Sequence, residues 1–191
     1  MKVYDVIISR RSIRRFHQKH VTLEILKKCV NAARLAPSAA NLQPLEYCIV
    51  IDKDLCTKLF EALNWAAYIQ PKWTPKEPER PTAYIVVLVR DTKNPYYERD
   101  VGFATENIVL TAEGEGLGSC ILCNIERVKI QDLCSIPLTY AVDSVIALGY
   151  KAETPVVEDM TDSVKYWRDD HDVLHVPKRK LDDIIHMNKF S

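Results

Sequence analysis

The sequence predicts a single-domain α+β sandwich, and three observations carry that expectation. Helical and strand-like hydrophobic patterns are interspersed along the chain. Its 191 residues fit one domain, 1–191, with a core large enough to need no disulfide or metal staple. One helical stretch, Asp100 to Glu115, is apolar nearly all round, which marks a central core helix or one packed at a subunit interface.

The elements follow in order. Val3, Val6 and Ile7 are spaced for a short amphipathic helix over 3–9, which ends at the basic run Arg10-Arg11-Ser12-Ile13-Arg14-Arg15-Phe16. Thr22 is placed as the N-cap of a second helix, with Val21 and Leu26 as its hydrophobic staple, and Pro37 ends that helix near Ala36. The β-branched and aromatic runs 45–51 and 83–90 read as strands, with a helix expected at 54–67 between them. Residues 71–81, PKWTPKEPERP, are too proline-dense for regular structure, so the loop 68–82 is expected to act as a lid over a site. In the helix 100–115, Val101, Ala104, Ile108, Thr111 and Ala112 repeat with helical period, while Phe103, Val109 and Leu110 fill the other side. A strand at 119–125, a short helix at 128–135 and a strand at 143–150 complete the regular pattern. From Pro155 onward the chain is polar, turns basic at Lys178-Arg179-Lys180, and closes with a helical pattern around Leu181–Ile185.

Composition excludes several classes. With 47% hydrophobic and 27% charged residues, and 26 basic against 26 acidic side chains, the chain lacks the broad basic face of a general nucleic-acid binder. No apolar run approaches a membrane span, and the N-terminal apolar piece is too short and polar for a signal-peptide core. A cytoplasmic protein with neither nucleic acid nor membrane as partner is expected. The six cysteines then read as reduced thiols, with Cys29 in a helical stretch and Cys48 in a strand-like run.

Among the motifs, the arginine run offers forked donors suited to a phosphate group, or else a solvated basic helix end. The glycines of GEGLGS (114–119) imitate a dinucleotide fingerprint in reverse: the helix precedes and the strand follows, so a helix stop explains them better. Cys120 and Cys123 form a CxxC inside an apolar strand pattern, where no helix dipole activates a thiolate. Histidines 17, 20, 171, 175 and 186 make no HExxH, and no GxSxG is present. The segment 36–44, APSAANLQP, is either a turn or a close-approach surface for a flat polar heterocycle.

RRSIRRF, APSAANLQP, ENIVLTAEGEGLGSC (106–120) and the basic residues before a short C-terminal helix stand in the order found in the nitroreductase-like flavoproteins. The chain resembles that family over nearly its whole length. The resemblance implies an α/β/α sandwich with a mostly antiparallel central sheet, an obligate homodimer, and FMN bound at the subunit interface. Arg10, Arg11, Ser12 and Arg14 match the segment that holds the FMN phosphate and ribityl chain; Pro37, Ser38, Ala39 and Asn41 match the segment reaching the flavin from the other subunit. Cys123 and Asn124 match positions whose main-chain N–H groups lie near flavin N5, and Lys178, Arg179 and Lys180 match C-terminal phosphate contacts. The implied activity passes hydride from NAD(P)H through FMN to a small electron-poor acceptor (nitroaromatic, quinone or activated alkene) in a ping-pong cycle that needs no protein nucleophile. Two features depart from the family: Leu45 where Trp is common, and Cys123-Asn124 where Glu-Gly is common. The alternatives are another redox chemistry on the same fold (dehalogenation, dehydrogenation or flavin fragmentation) and a non-enzymatic polyanion-binding module.

Overall fold

Strand Ala83–Val89 has every residue buried, and its side chains alternate between two separate apolar cores. Tyr84 and Val86 join Leu59, Phe60 and Ile130 on one face, while Ile85 and Val87 join Leu26 and Ile108 on the other. A strand buried on both faces demands a layer of helices on each side, and the sequence supplies them. The computed structural model, which describes residues 2–190, orders the elements α1 (Val3–Ser9), β1 (Phe16–His17), α2 (Leu23–Arg34), β2 (Leu45–Val50), α3 (Lys53–Phe60), β3 (Ala83–Val89), α4 (Tyr97–Gly114), β4 (Leu117–Leu122), α5 (Arg127–Leu133), β5 (Ala141–Lys151), β6 (Val156–Asp159), β7 (Trp167–Arg168) and β8 (Leu174–Lys178). The main sheet runs β1-β5-β3-β2 with β4 on β5, and every pairing is antiparallel. Helices α2 and α4 contribute to one core, α3 and α5 to the other, so the chain is an α+β sandwich. Among the described residues no helix is long and apolar enough to cross a membrane.

Local signals act as the sequence indicates at several points. The Thr22 side chain accepts a hydrogen bond from the Ile25 N–H at the start of α2, and Val21 and Leu26 are fully buried. Gly116 takes φ +79° just after α4, so GEGLGS serves as a helix stop. All six cysteines are free thiols.

Other expectations are corrected. The helix expected at 54–67 ends at Phe60, because the Asn64 N–H donates to the Asn124 carbonyl and the Ala62 carbonyl accepts from the Glu126 N–H instead, which sets Leu63 opposite Ile125. The strand expected at 119–125 starts at Leu117 and stops at Leu122, leaving Cys123 exposed beyond its end. Helix α4 is not buried all round within one chain: Val109 is buried, but Phe103 is half exposed. The polar tail holds a second sheet, β6-β8-β7, whose short strands have too few apolar residues for their period to show in the sequence.

Candidate active site

Two glycines place the arginine run. Gly118 of β4 and Gly149 of β5 are direct cross-strand partners, so this part of the sheet has no side chains on either strand. Residues 12–16 cross there: Ser12 bridges Ser119, the Ile13 N–H donates to the Ser119 carbonyl at 2.8 Å, and Ile13 and Phe16 are buried directly over Gly118 and Gly149. The two apolar anchors leave the intervening arginines at the surface of the crossing, each half-buried.

The arginines then divide. Glu106 and Glu113 of α4 are seven residues, about two turns, apart and lie on one side of that helix. Arg10 meets Glu106 at 3.6 Å; Arg11 donates to the Arg10 carbonyl and lies near Glu113. Burial first, and Arg10 beside it second, lower the Arg11 guanidinium from its usual value, while Glu113 opposes this. Glu113 itself is buried and paired with Lys151 at 2.5 Å. Arg14 and Arg15 face the small sheet. The Arg14 N–H donates to Glu153, whose other oxygen accepts from Arg168 at 2.7 Å, and the Arg14 guanidinium lies 4.6 Å from the Tyr166 ring centre. Arg15 pairs with Asp172 and, at 3.5 Å, with Glu79, so it is a structural cation. Nε of Arg10, Arg14, Arg15 and Arg168 are all screened from solvent and make no hydrogen bond, those of Arg10 and Arg15 facing the Glu106 and Glu79 carboxylates; Arg11 and Arg14 pair with no carboxylate among the described residues.

The segment after α2 is strained. Ala40, Asn41 and Gln43 all take positive φ (48°, 56° and 49°), a conformation that non-glycine residues hold only when their surroundings enforce it. The enforcing contacts are visible. Asp100 of α4, 2% exposed, accepts from the Ala39 N–H at 2.9 Å, and the Ser38 hydroxyl accepts from the Gln43 N–H at 3.1 Å. Pro37, Ser38 and Ala39 line a concavity with Tyr96, Arg99 and Phe103 of α4 and the residue before it. One helix thus supports both candidate segments: Asp100 holds 38–41 and Glu106 meets Arg10.

Past β4, the Cys123 carbonyl accepts from Arg127 at 3.2 Å and the Asn124 carbonyl from the Asn64 N–H at 3.1 Å, which fixes this turn. Burial pushes the Cys120 and Cys123 thiols up, and at Cys123 Asp143 adds to the effect, so neither is an activated thiolate. Lys178, Arg179 and Lys180 are exposed at the end of β8, where Arg179 donates to the Asp183 carbonyl at 2.8 Å. Among the described residues, no hydrogen bond or ion pair joins 178–180 or 37–41 to the arginine run. Sequence reading missed Asp100, Glu153, Tyr166 and Arg168, all of which brace the site. The sequence-level signal for Asp100 is an acid in the first turn of a long helix; the other three carry none.

The ordered segments agree with a known family. The nitroreductase family model matches residues 7–150. The chain belongs to the nitroreductase family. This family member is 35% identical over 153 residues to an Archaeoglobus fulgidus protein whose name places it among the NADH dehydrogenase/NAD(P)H nitroreductases, the match covering 76% of this chain and 83% of the relative. Among solved structures, an FMN-dependent nitroreductase from Clostridium difficile superposes with a TM-score of 0.69 at 26% identity, covering 97% of this chain and 98% of the other. An iodotyrosine deiodinase of Thermotoga neapolitana is 24% identical over 163 residues, 78% of this chain and 88% of that one. The nitroreductase-family chain is therefore an oxidoreductase on an α+β fold.

Proposed function

We propose that this nitroreductase-family protein binds FMN as a homodimer and passes hydride from NAD(P)H to a small electron-poor acceptor such as a nitroaromatic, a quinone or an activated alkene. The observation that carries the reading is the pair of half-buried guanidinium groups on Arg11 and Arg14, neither of which has a carboxylate within ion-pairing distance among the described residues, held on either side of Ser12 and Ile13 over the Gly118–Gly149 gap. A partly buried cation without a counter-anion is unfavourable, and a phosphate monoester supplies the anion that these two guanidinium groups lack. The residues present therefore fit the phosphate and ribityl end of FMN, with Arg10, Arg11, Ser12 and Arg14 holding it and Lys178, Arg179 or Lys180 adding charge from the small sheet.

FMN, when bound, accepts hydride from the nicotinamide and returns it to the second substrate at the same place. The protein's part is to bind and to orient. Arginine stays cationic across the working pH range and so favours a bound anion at every stage of the cycle. The turn at Cys123 and Asn124, fixed by Arg127 and Asn64, offers main-chain groups and not a thiol. The strained segment Pro37–Asn41 is rigid enough to present a close-approach backbone surface to the partner subunit's cofactor.

The dimer reading rests on surface that one copy leaves open. Helix α1 buries no residue of its own, and Val3, Tyr4, Ile7 and Ile8 are exposed on it, with Phe103 exposed on α4. Relatives named iodotyrosine deiodinases keep reductive dehalogenation as the second reading. The test is the visible spectrum of the purified protein, with chromatography of heat-released pigment and light scattering. Yellow protein, FMN and a dimer are expected. FAD, failure to take up added FMN, or a monomer that holds FMN tightly refutes the reading. Turnover of iodotyrosine without turnover of nitroaromatics or quinones selects the second.

A further inference from the structure

Cys48 of β2 and Cys134, the residue that ends α5, are 86 positions apart in the chain and meet in the fold. The loop between α5 and β5 brings them together. Its Tyr140 hydroxyl donates to Glu46 at 2.7 Å, and Glu46 lies two residues before Cys48 on the same face of β2. Gln131 of α5 donates to the Pro137 and Tyr140 carbonyls at 3.3 and 3.1 Å, which pins this loop to the helix end. Both thiols pack against the core that α3 and α5 cover, and the Cys134 thiol donates a hydrogen bond to the Cys48 sulfur. Cys48 and Cys134 are half-buried, whereas Cys29, Cys56 and Cys120 are buried. The hydrogen bond from Cys134 holds the Cys48 thiol down at about 7 against the opposing effect of burial; the same bond, with burial behind it, pushes Cys134 up. Cys56, close enough to act on Cys134, donates to the Val50 carbonyl at 3.7 Å and is pushed up to about 11 by burial first and Asp52 second.

We propose that Cys48 and Cys134 form a peroxide-reactive dithiol site, in which Cys48 is the attacking sulfur and Cys134 closes a reversible disulfide between β2 and the end of α5. The Cys48 thiolate attacks one oxygen of hydrogen peroxide; the O–O bond breaks, hydroxide leaves, and Cys48 becomes a sulfenic acid. The Cys134 thiol then gives up its proton, its sulfur displaces the sulfenic oxygen as water, and the S–S bond forms. Two thiols and one peroxide thus give one disulfide and two waters, the two sulfurs losing the two electrons that the peroxide oxygens gain. Glutathione or another small thiol reverses the bond by exchange, two of its molecules being oxidised for each disulfide reopened. No other pair meets the requirements. Cys123 is exposed, but burial and Asp143 push its thiol up, and Cys120 is buried within β4. The site shares no residue with the proposed flavin contacts, so neither reading depends on the other.

The test is titration of the purified protein with hydrogen peroxide, after reduction with dithiothreitol and its removal, followed by denaturation, alkylation of the remaining thiols and peptide mass spectrometry. The expected first product is a Cys48–Cys134 disulfide within one chain, read as the loss of two alkylatable thiols while the other four cysteines are still alkylated, and dithiothreitol should restore both. In Cys134→Ser, a sulfenic acid should persist on Cys48 and be trapped by dimedone. In Cys48→Ser, Cys134 should stay alkylatable at the same peroxide dose. Far-UV circular dichroism checks that each variant is folded, and the wild-type map decides alone should a variant fail. Oxidation that begins at Cys123, a disulfide between Cys120 and Cys123 or between two chains, or Cys48 and Cys134 still alkylated after other cysteines have been oxidised overturns the site. Dimedone on Cys134 in Cys48→Ser and none on Cys48 in Cys134→Ser overturns the assignment of Cys48 as the attacking sulfur.

Discussion

Gly118→Ala isolates the packing that holds the arginine run. A Cβ at Gly118 would lie 2.8 Å from Ile13 Cβ, 2.8 Å from Cγ1 and 2.9 Å from Cγ2, closer than real Cβ atoms approach. Ile13 cannot swing clear. It is β-branched and stiff at χ1, it is 2% exposed, and its N–H is tied to the Ser119 carbonyl at 2.8 Å. The clash must therefore be relieved by moving the backbone of residues 12–14, and with it the candidate phosphate contacts. Overpacking of this kind costs about 1–3 kcal/mol, and a chain of this size loses about 2–4 °C of melting temperature per kcal/mol, so a fall of roughly 2–12 °C is expected. Gly102→Ala is the matched control, because a Cβ there meets nothing within 4 Å and alanine favours a helix interior by up to ~1 kcal/mol. Differential scanning calorimetry and FMN titration read both variants. Gly118→Ala should melt lower and bind FMN more weakly, while Gly102→Ala should melt at or above wild type with FMN affinity unchanged. If the two substitutions behave alike, the crossing over Gly118 does not position the arginines.

Other expectations follow from the same contacts. Arg14→Glu should weaken FMN binding by well over tenfold and Arg14→Lys far less, since loss of a charge-assisted hydrogen bond alone is worth about 1.5–3 kcal/mol; equal affinities at low salt, with equal apo-protein melting, would make Arg14 an ordinary surface charge. Cys123→Ala should retain bleaching of the visible band by NAD(P)H in rapid mixing, because its thiol is pushed up and exposed outside the strand; abolished bleaching with FMN still bound would assign the thiol a chemical role. Asp100→Ala removes the acceptor of the Ala39 N–H and should release the strained turn, seen as faster amide exchange at Ala39–Gln43 than in wild type; unchanged exchange would show that the turn holds itself. His175 lies between Glu158 at 2.9 Å and Asp169 at 3.2 Å, with Glu158 the larger cause of its raised pKa. The folded state thus favours the protonated ring, and its stabilisation is fully present below the ordinary histidine value near 6.5 and lost as pH rises through the elevated one. His175→Gln should flatten that part of the stability–pH curve, and an unaltered curve would remove His175 as its source.

Sequence periodicity carried the framework because it records which face of each element meets the core. Leu26 and Cys29 of α2, the unbroken apolar run 83–89 and the capping Thr22 each state a local preference that tertiary structure had no reason to overturn. Where neighbours competed, the local reading failed. Residues 61–67 have helix-forming character, yet the bonds that Ala62 and Asn64 make with the turn at 124–126 join segments about 60 residues apart and outweigh one further helical turn. The second sheet was hidden for the same reason. Its strands are two to five residues long, and its order comes from Arg168 with Glu153 and Arg15 with Asp172, ion pairs that leave no periodic trace.

The sequence alone determined the α+β class, the donors available for an anion and the family to which the order of its motifs points. Tertiary structure alone decided which arginine does what. All four sit within six consecutive residues and are chemically identical, so nothing local separates them. Arg15 is committed to Glu79 and Asp172 and Arg10 to Glu106, whereas among the described residues Arg11 and Arg14 have no carboxylate within ion-pairing distance of their guanidinium groups, and that difference is set by carboxylates and glycines supplied from distant parts of the chain.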